Sequence, residues 1–476
     1  MSIPIDRACV AVVGITIVFT TGCVRYRPAP LFPEAAAAAL ESRVLEDPGL
    51  RAFAISNTAS QRPWPPETLD LDALTIAAFY FHPDLDVARA RWAVARAGVV
   101  TAGARPNPAL NLASEYVTQT EAPSPWILGF SLDIPIDTFG KRGYRVSQAR
   151  ALSESARVDI ASVAWRVRSR LRSALLDLWT AEARADLVRR ELALREEILQ
   201  MLERRLEVGE AARTDVTRER IAAERARFSV RDAARLAADA RARVAGAIGV
   251  AVEALDSRTL SFAGFEVAPS SAELALPAVR RAALVGRADV RSLLAEYTAA
   301  QAALQLEVAR QYPDLKLGPG YTWEQGEHRF AFGVSLVLPS FNRNRGPIAE
   351  AEARRSEVAA RFAALQSQVL ADIDAGIQSY RPASDAFVAA ETALAAQRQA
   401  AAQIAERFRA GEADRLDLRT AELEVVAMEQ ARFDALLARQ RLLAALENAL
   451  QRPLSGSERP LPSLEAAPRA TREESR

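Results

Sequence analysis

The chain repeats itself, and the repeat contains a stretch too long for a compact domain. Leu69-Asp70-Leu71, Ala77-Ala78 and His82-Pro83-Asp84-Leu85 return as Leu274-Ala275-Leu276, Ala282-Ala283 and Arg287-Ala288-Asp289-Val290, an offset of 205 residues. The same offset pairs Pro108 with Pro313, Leu110 with Leu315 and Leu112 with Leu317. It drifts to 204 for Ser131-Leu132 and Pro135 against Ser335-Leu336 and Pro339. It reaches 202 for Val208-Gly209-Glu210-Ala211 against Ala410-Gly411-Glu412-Ala413. Alanine-rich helices resemble one another by chance, but chance does not also align prolines and glycines. Each copy reads as a helix (68–104 and 274–311), a strand pair, a very long helix (144–207 and 347–409), a glycine-containing break and a returning helix (215–248 and 417–450). About 63 residues of helix span roughly 95 Å. Val188, Leu192, Leu199, Leu202 and Leu206 keep the three-four spacing of a coiled-coil seam, interrupted by Arg195. Pro382 is expected to bend or break the second long helix.

Composition narrows the function classes. Lys and Arg number 61 against 60 Asp and Glu, so the basic surplus of a nucleic-acid binder is missing. Two Cys, two His and three Met make neither a disulfide framework nor a side-chain metal centre. No nucleophile elbow, phosphate-binding loop or HExxH motif occurs, so no enzyme, cofactor or metal site is expected. His82 reads as a helix-start residue and His328 as a strand-turn residue. No apolar run reaches the roughly 18 residues of a spanning helix, which leaves strands as the way across a membrane.

The strand pairs fit that role. Trp126, Leu128, Phe130, Leu132 and Ile134 alternate with Ile127, Gly129, Ser131 and Asp133. Phe330, Phe332, Val334, Leu336 and Leu338 alternate with Arg329, Ala331, Gly333 and Ser335. Strands of about 9–11 residues with one apolar and one small or polar face match a transmembrane barrel, with Trp126, Phe130, Leu132, Phe330, Phe332 and Val334 facing lipid. The competing reading is an amphipathic sheet on a soluble core. Four strands do not close around a lumen, and lipid does not tolerate open edges. Three chains supply twelve strands, an even number that closes, so a homotrimer is expected.

The remaining segments say less. Arg7, the apolar run Ala8 to Phe19 and the small residues Thr20-Thr21-Gly22 read as a signal peptide over 1–22. Cys23 directly after them resembles a bacterial lipobox, although Thr20 stands where a branched apolar residue is usual; an ordinary signal with an incidental Cys is the alternative. Residues 23–68, with Pro28, Pro30, Pro33, Pro63, Pro65 and Pro66, read as an extended segment. Repeat one is taken as 69–255, a linker as 256–273, repeat two as 274–452 and a flexible tail as 453–476.

Taken together, the lipobox, the tandem repeat, two strand pairs and two long helical hairpins resemble the TolC family of outer-membrane efflux factors. Ala104-Arg105-Pro106-Asn107-Pro108 and Ala309-Arg310-Gln311-Tyr312-Pro313, each leading into a strand, carry the likeness over about residues 68–452. The run from Leu338 to Ala351 looks most like the heavy-metal efflux branch. The resemblance implies a mainly α fold with β: a homotrimeric 12-stranded outer-membrane β-barrel continued by a long periplasmic α-helical barrel. It implies a duct exporting small solutes or metal cations, with a periplasmic adaptor and an inner-membrane resistance-nodulation-division pump as partners. It also implies that Gly209, Arg213, Asp215, Gly411, Arg415 and Asp417 lie at periplasmic hairpin tips that meet the adaptor and close the duct. Arg213 and Arg415 are candidate partners, within or between chains, for Asp215 and Asp417, whose simpler role is to complement the positive start of a helix.

A lipid-anchored periplasmic coiled-coil adaptor or structural protein is the rival reading, but an adaptor has one hairpin framed by β-rich halves and a scaffold needs no lipid-facing strands. Mass spectrometry of the mature N-terminus tests the anchor: the sequence predicts Cys23 carrying two or three acyl chains, enough for stable attachment. An unmodified Cys23, or cleavage elsewhere, contradicts it.

Overall fold

The structure, a computed structural model, describes residues 26–57, 63–118, 124–256, 258–267, 269, 277–324 and 326–454. Cys23, the signal segment and most of the C-terminal tail lie outside the described residues. The chain separates into a short unit, Met1–Arg43, and a large one, Val44–Arg476. In the short unit helix α1 (Pro33–Glu41) contains the run Ala35 to Ala39 and buries no residue. In the large unit α2 (Pro48–Asn57) buries Leu50 and Ala54. The extended segment expected over 23–68 is therefore corrected: it holds two helices. Of the prolines that suggested it, Pro33 sits at the first helical position, where a missing N–H costs nothing, and Pro48 opens α2 in the same way. Asp47 caps α2 by accepting from the amides of Gly49 (2.7 Å) and Leu50 (3.1 Å).

Repeat one continues with strand β1 (Thr68–Leu69), α3 (Leu71–Phe81), α4 (Pro83–Gly103), β2 (Ala109–Tyr116), β3 (Trp126–Ile136), α5 (Lys141–Glu207) and α6 (Arg213–Ile248). A connection follows with α7 (Glu253–Asp256) and β4 (Thr259–Leu260), which pairs in parallel with β1. Repeat two has α8 (Pro277–Gly286), α9 (Ala288–Ala309), β5 (Leu315–Glu324), β6 (Glu327–Leu336), α10 (Arg345–Arg409) and α11 (Arg415–Leu450). The order of elements in the second copy is that of the first.

One expectation about the helices is corrected, and of the bend or break expected at Pro382 the break is absent. The first helix of each repeat is a pair. Pro83 disfavours helical backbone at the residue before it, and His82 ends α3 and caps α4, its Nδ1 accepting from the Asp84 amide at 3.1 Å. The second pair parts at Arg287, whose guanidinium turns to Asp289 at 2.7 Å. Pro382 does not break the second long helix; α10 runs through it. At 67 and 65 residues, α5 and α10 are each roughly 100 Å long. Among the described residues no helix is long and apolar enough to cross a membrane.

The main core gathers α2, α3, the middle of α5 and the end of α6 around Leu50, Phe79, Phe81, Leu171, Leu175 and Ile248. A smaller core in repeat two packs α10 on α11 through Val369, Ile373, Tyr380, Leu443 and Leu446. There Gly376 lets the helices meet closely, since a Cβ on it would lie 2.9 Å from Leu446 Cδ1. The two repeats are tied across α5 and α11. Glu447, 1% exposed, accepts from Arg168 at 3.2 Å and pairs with Arg172 at 3.1 Å. Gln440 holds Arg172 from the other side at 3.0 Å. Further along, Arg184 meets Asp434, and Arg190 and Arg398 share Glu429. Near-equality of charge thus becomes a ladder of Arg–carboxylate pairs, which the composition alone did not place.

Burial sets the worth of each rung. Glu447→Ala leaves two buried guanidinium groups without their anion and is expected to cost about 3–5 kcal/mol. Asp434→Ala removes an exposed pair and is expected to cost under about 1 kcal/mol. Thermal melting of the two variants in detergent checks this: a large drop for the first and a parent-like midpoint for the second.

Candidate functional site

Two regions carry the expected site residues: the sheet and the hairpin tips. The sheet is four-stranded in the order β2-β3-β5-β6, all antiparallel. Facing residues share a side of a sheet, so the register assigns the faces. Leu112 faces Phe130, Phe130 faces Tyr321, and Tyr321 faces Phe330. Tyr116 faces Trp126, Leu110 faces Leu132, Pro319 faces Phe332, and Leu317 faces Val334. All six strand residues singled out from the sequence therefore lie on one apolar face. Phe330 is 84% and Phe332 70% exposed, whereas Leu132, in a strand flanked on both sides, is half-buried. Tyr116 and Trp126, in edge-to-face contact at 5.0 Å, close one end of this face.

The opposite face carries Asn111, Ser131, Asp133, Thr322, Glu324, Arg329, Gly318 and Gly333. Asn111 donates to Asp133 at 3.1 Å, and Arg329 pairs with Glu324. The hairpin is tighter than the alternation indicated. Strand β6 begins at Glu327, so His328 lies within the strand opposite Trp323, its Nδ1 2.6 Å from the Tyr321 hydroxyl. At the other end of the sheet Lys141, at the start of α5, donates to Asp314 Oδ1 and to the Tyr312 carbonyl, both at 2.7 Å. That contact locks the strand-to-helix corner of one repeat to the other.

The tips are built alike in both repeats. Gly209 (φ 81°) and Gly411 (φ 80°) take the left-handed conformation that ends α5 and α10. The Glu210 and Glu412 amides then donate back to the Arg205 and Arg407 carbonyls, at 2.7 and 2.8 Å. The helices restart at Arg213 and Arg415. Their acids behave differently. In repeat two Asp414 is the cap: it accepts from the Asp417 amide at 2.8 Å, while Asp417 accepts from the Asp414 amide at 3.1 Å. In repeat one the cap position is Ala212, whose methyl group accepts no hydrogen bond, and Asp215 pairs with Arg218 at 3.3 Å. The expected intrachain partners are therefore not the ones found. Arg415 reaches Glu197 on α5 at 3.6 Å, with Arg419 on the same carboxylate at 2.7 Å. Sequence reading missed the bridge that joins the tips, Arg205 Nη2 to Asp414 Oδ2 at 2.5 Å. The available signal was Arg205 in the last turn of a helix, where a cation is favoured.

Arg205, and after it the Asp417 amide, hold the Asp414 carboxyl below its ordinary value of 3.8. A carboxyl depressed in the folded state stabilises the tip above that ordinary value, and the contribution is lost as pH falls through the lower folded value. Amide exchange at Asp417 reads this directly. Asp414→Ala removes cap and bridge and is expected to cost the tip about 0.5–2 kcal/mol; Arg205→Ala removes only the exposed bridge, worth about 0–1 kcal/mol. Protection at Asp417 that is the same in Asp414→Ala as in the parent contradicts the assignment.

Among the described residues no group of three or more His, Cys, Asp or Glu side chains is placed to hold a metal ion. The sequence profile of the outer membrane efflux protein family matches the chain twice, over residues 80–250 and 279–451. The cobalt-zinc-cadmium resistance protein CzcC of Cupriavidus metallidurans is 25% identical over 251 residues, which is 52% of this chain and 58% of that protein. The match thus spans less than two thirds of the relative. Among solved structures, the outer membrane protein VceC of Vibrio cholerae aligns over 81% of this chain and 97% of its own, with a TM-score of 0.65 and 21% identity. The MtrE outer membrane channel of Neisseria gonorrhoeae aligns over 81% and 89%, with a TM-score of 0.62 and 20% identity. At these identities the likeness of the two structures is one of fold.

Proposed function

This chain belongs to the outer membrane efflux protein family, and on that premise we propose that three copies close into one duct through the outer membrane. The observation that carries the reading is the open sheet: among the described residues it has four strands, two free edges, one apolar face and one polar face. Three such sheets make a closed barrel of twelve strands, apolar toward lipid and wet within. The long helices continue the duct into the periplasm. The protein conducts and does not catalyse; it needs a hydrated lumen, not a reactive pocket.

The tips around Gly209, Arg213, Asp215, Gly411, Arg415 and Asp417 are then the periplasmic end, where an adaptor docks and the duct closes. An inner-membrane pump of the resistance-nodulation-division type drives export through it. Threefold symmetry repeats every axis-facing tip residue in a ring, and a ring of carboxylates favours cations. The name of the Cupriavidus relative puts metal cations among the candidate cargo; small organic solutes are the other class. Lipid on Cys23 supplies a second anchor. The rival adaptor reading has no use for the lipid-compatible face.

Conductance across planar bilayers, together with a heat-modifiable trimer band, tests the proposal. A stepwise, cation-preferring conductance is expected from the purified protein. Phe332→Arg places a charge against lipid, at roughly 2–4 kcal/mol near the midplane, and is expected to deplete trimers. Gly333→Arg keeps its charge hydrated and is expected to assemble while narrowing the pore. Equal loss of assembly in both variants, or a protein that conducts nothing, contradicts the reading.

A further inference from the structure

The two free edges, β2 and β6, are related by the internal duplication to an edge pair that the structure already contains. The relation is numerical. Facing residues within the first hairpin have numbers that sum to 242, as Leu110 with Leu132. Within the second hairpin they sum to 651, as Leu315 with Leu336. The difference, 409, is the repeat offset of 205 for β2 onto β5 plus 204 for β3 onto β6. Hairpin register is therefore conserved between repeats to the residue.

Between the hairpins, β3 pairs with β5 so that facing numbers sum to 451: Phe130 with Tyr321, Ile134 with Leu317, Ile136 with Leu315. Carrying β3 onto β6 by 204 and β5 onto β2 by 205 turns this pairing into one between β6 of one copy and β2 of the next. We infer that this seam joins adjacent copies with Val334 opposite Tyr116, Leu336 opposite Ser114 and Leu338 opposite Leu112. The inference rests on the trimeric reading above and gives it a register.

Three observations support it. Tyr116 is the repeat counterpart of Tyr321, whose ring lies 5.6 Å from Phe130. The transposed pairs keep the faces: even-numbered residues are apolar-facing in both β2 and β6, and the seam matches even with even. A slip of one residue sets Leu338 against Ala113 of the polar face, which reverses every side chain. Finally, β3 runs on to Ile136, but its counterpart β6 stops at Leu336, although the repeat counterpart of Ile136 is Ser340. Val337 and Leu338 beyond it are 78% and 71% exposed. The seam supplies their missing neighbour and extends β6 through Pro339, as β5 already accommodates the corresponding Pro135 opposite Lys316.

Cysteine cross-linking in the intact outer membrane tests the register. Tyr116→Cys is combined in turn with Phe330→Cys, Val334→Cys and Leu338→Cys, with the parent chain as the background from its native cysteines. Native mass spectrometry of each reduced sample counts the copies. Facing cysteines bridge readily, whereas a four-residue displacement moves them about 13 Å along the strand, beyond the roughly 7 Å reach of a disulfide. Oxidation is expected to give covalent dimers and trimers for the Val334→Cys pair, and only background for the other two. Three-copy assemblies that cross-link instead at Phe330→Cys or Leu338→Cys overturn the register and leave the duct standing. Absence of three-copy assembly in all samples, the parent included, overturns both.

Discussion

Lipid offers no partner to a backbone amide or carbonyl. That single constraint decides what the four strands of this chain can be. A sheet in water ends at an edge that water satisfies; in hydrocarbon each unpaired group costs several kcal/mol. Among the described residues the sheet has two such edges and an apolar face with Phe330 and Phe332 largely uncovered. On this account neither feature is a defect of the fold. Both are the chemistry of one third of a closed barrel.

The helices obey a different economy. Each long helix is paired with a returning helix, and the two hairpins are joined across α5 and α11. Alanine at many contacts lets the axes approach, and Arg–carboxylate pairs fix the sliding register that small residues leave loose. Near the core these pairs are buried and firm, as at Glu447. Toward the tips they are exposed and individually weak, as at Arg205 and Asp414. The pairing is thus graded along the hairpins, buried beside the core and exposed at the tips.

Much of this was legible in the sequence because it rests on period and punctuation. Alternation of period two placed the apolar faces of β3 and β6, and aligned prolines and glycines revealed the duplication. What escaped the reading depends on contacts distant in sequence or on local exceptions. Nothing in the sequence around Asp414 names its partner; only the fold brings Arg205, 209 residues away, onto it. Pro33 looked like a mark of extended chain and instead opens a helix. Pro382 is carried inside a helix that tertiary packing holds together. The split at His82 was signalled by Pro83, yet the apolar run that ends at Phe81 and the alanine-rich stretch beyond read together as one helix. Arg195, an interruption in the coiled-coil stripe, bridges Glu191 on its own helix and Glu219 on the next.

The central claim is that two repeats per chain and three chains per assembly close one barrel. Electron cryo-microscopy of the detergent-extracted protein tests it most directly. The account predicts a threefold particle whose strand layer shows twelve strands in cross-section, with a pseudo-sixfold arrangement from the duplicated hairpins. A particle of any other copy number, or a four-stranded sheet left open at its edges, contradicts it.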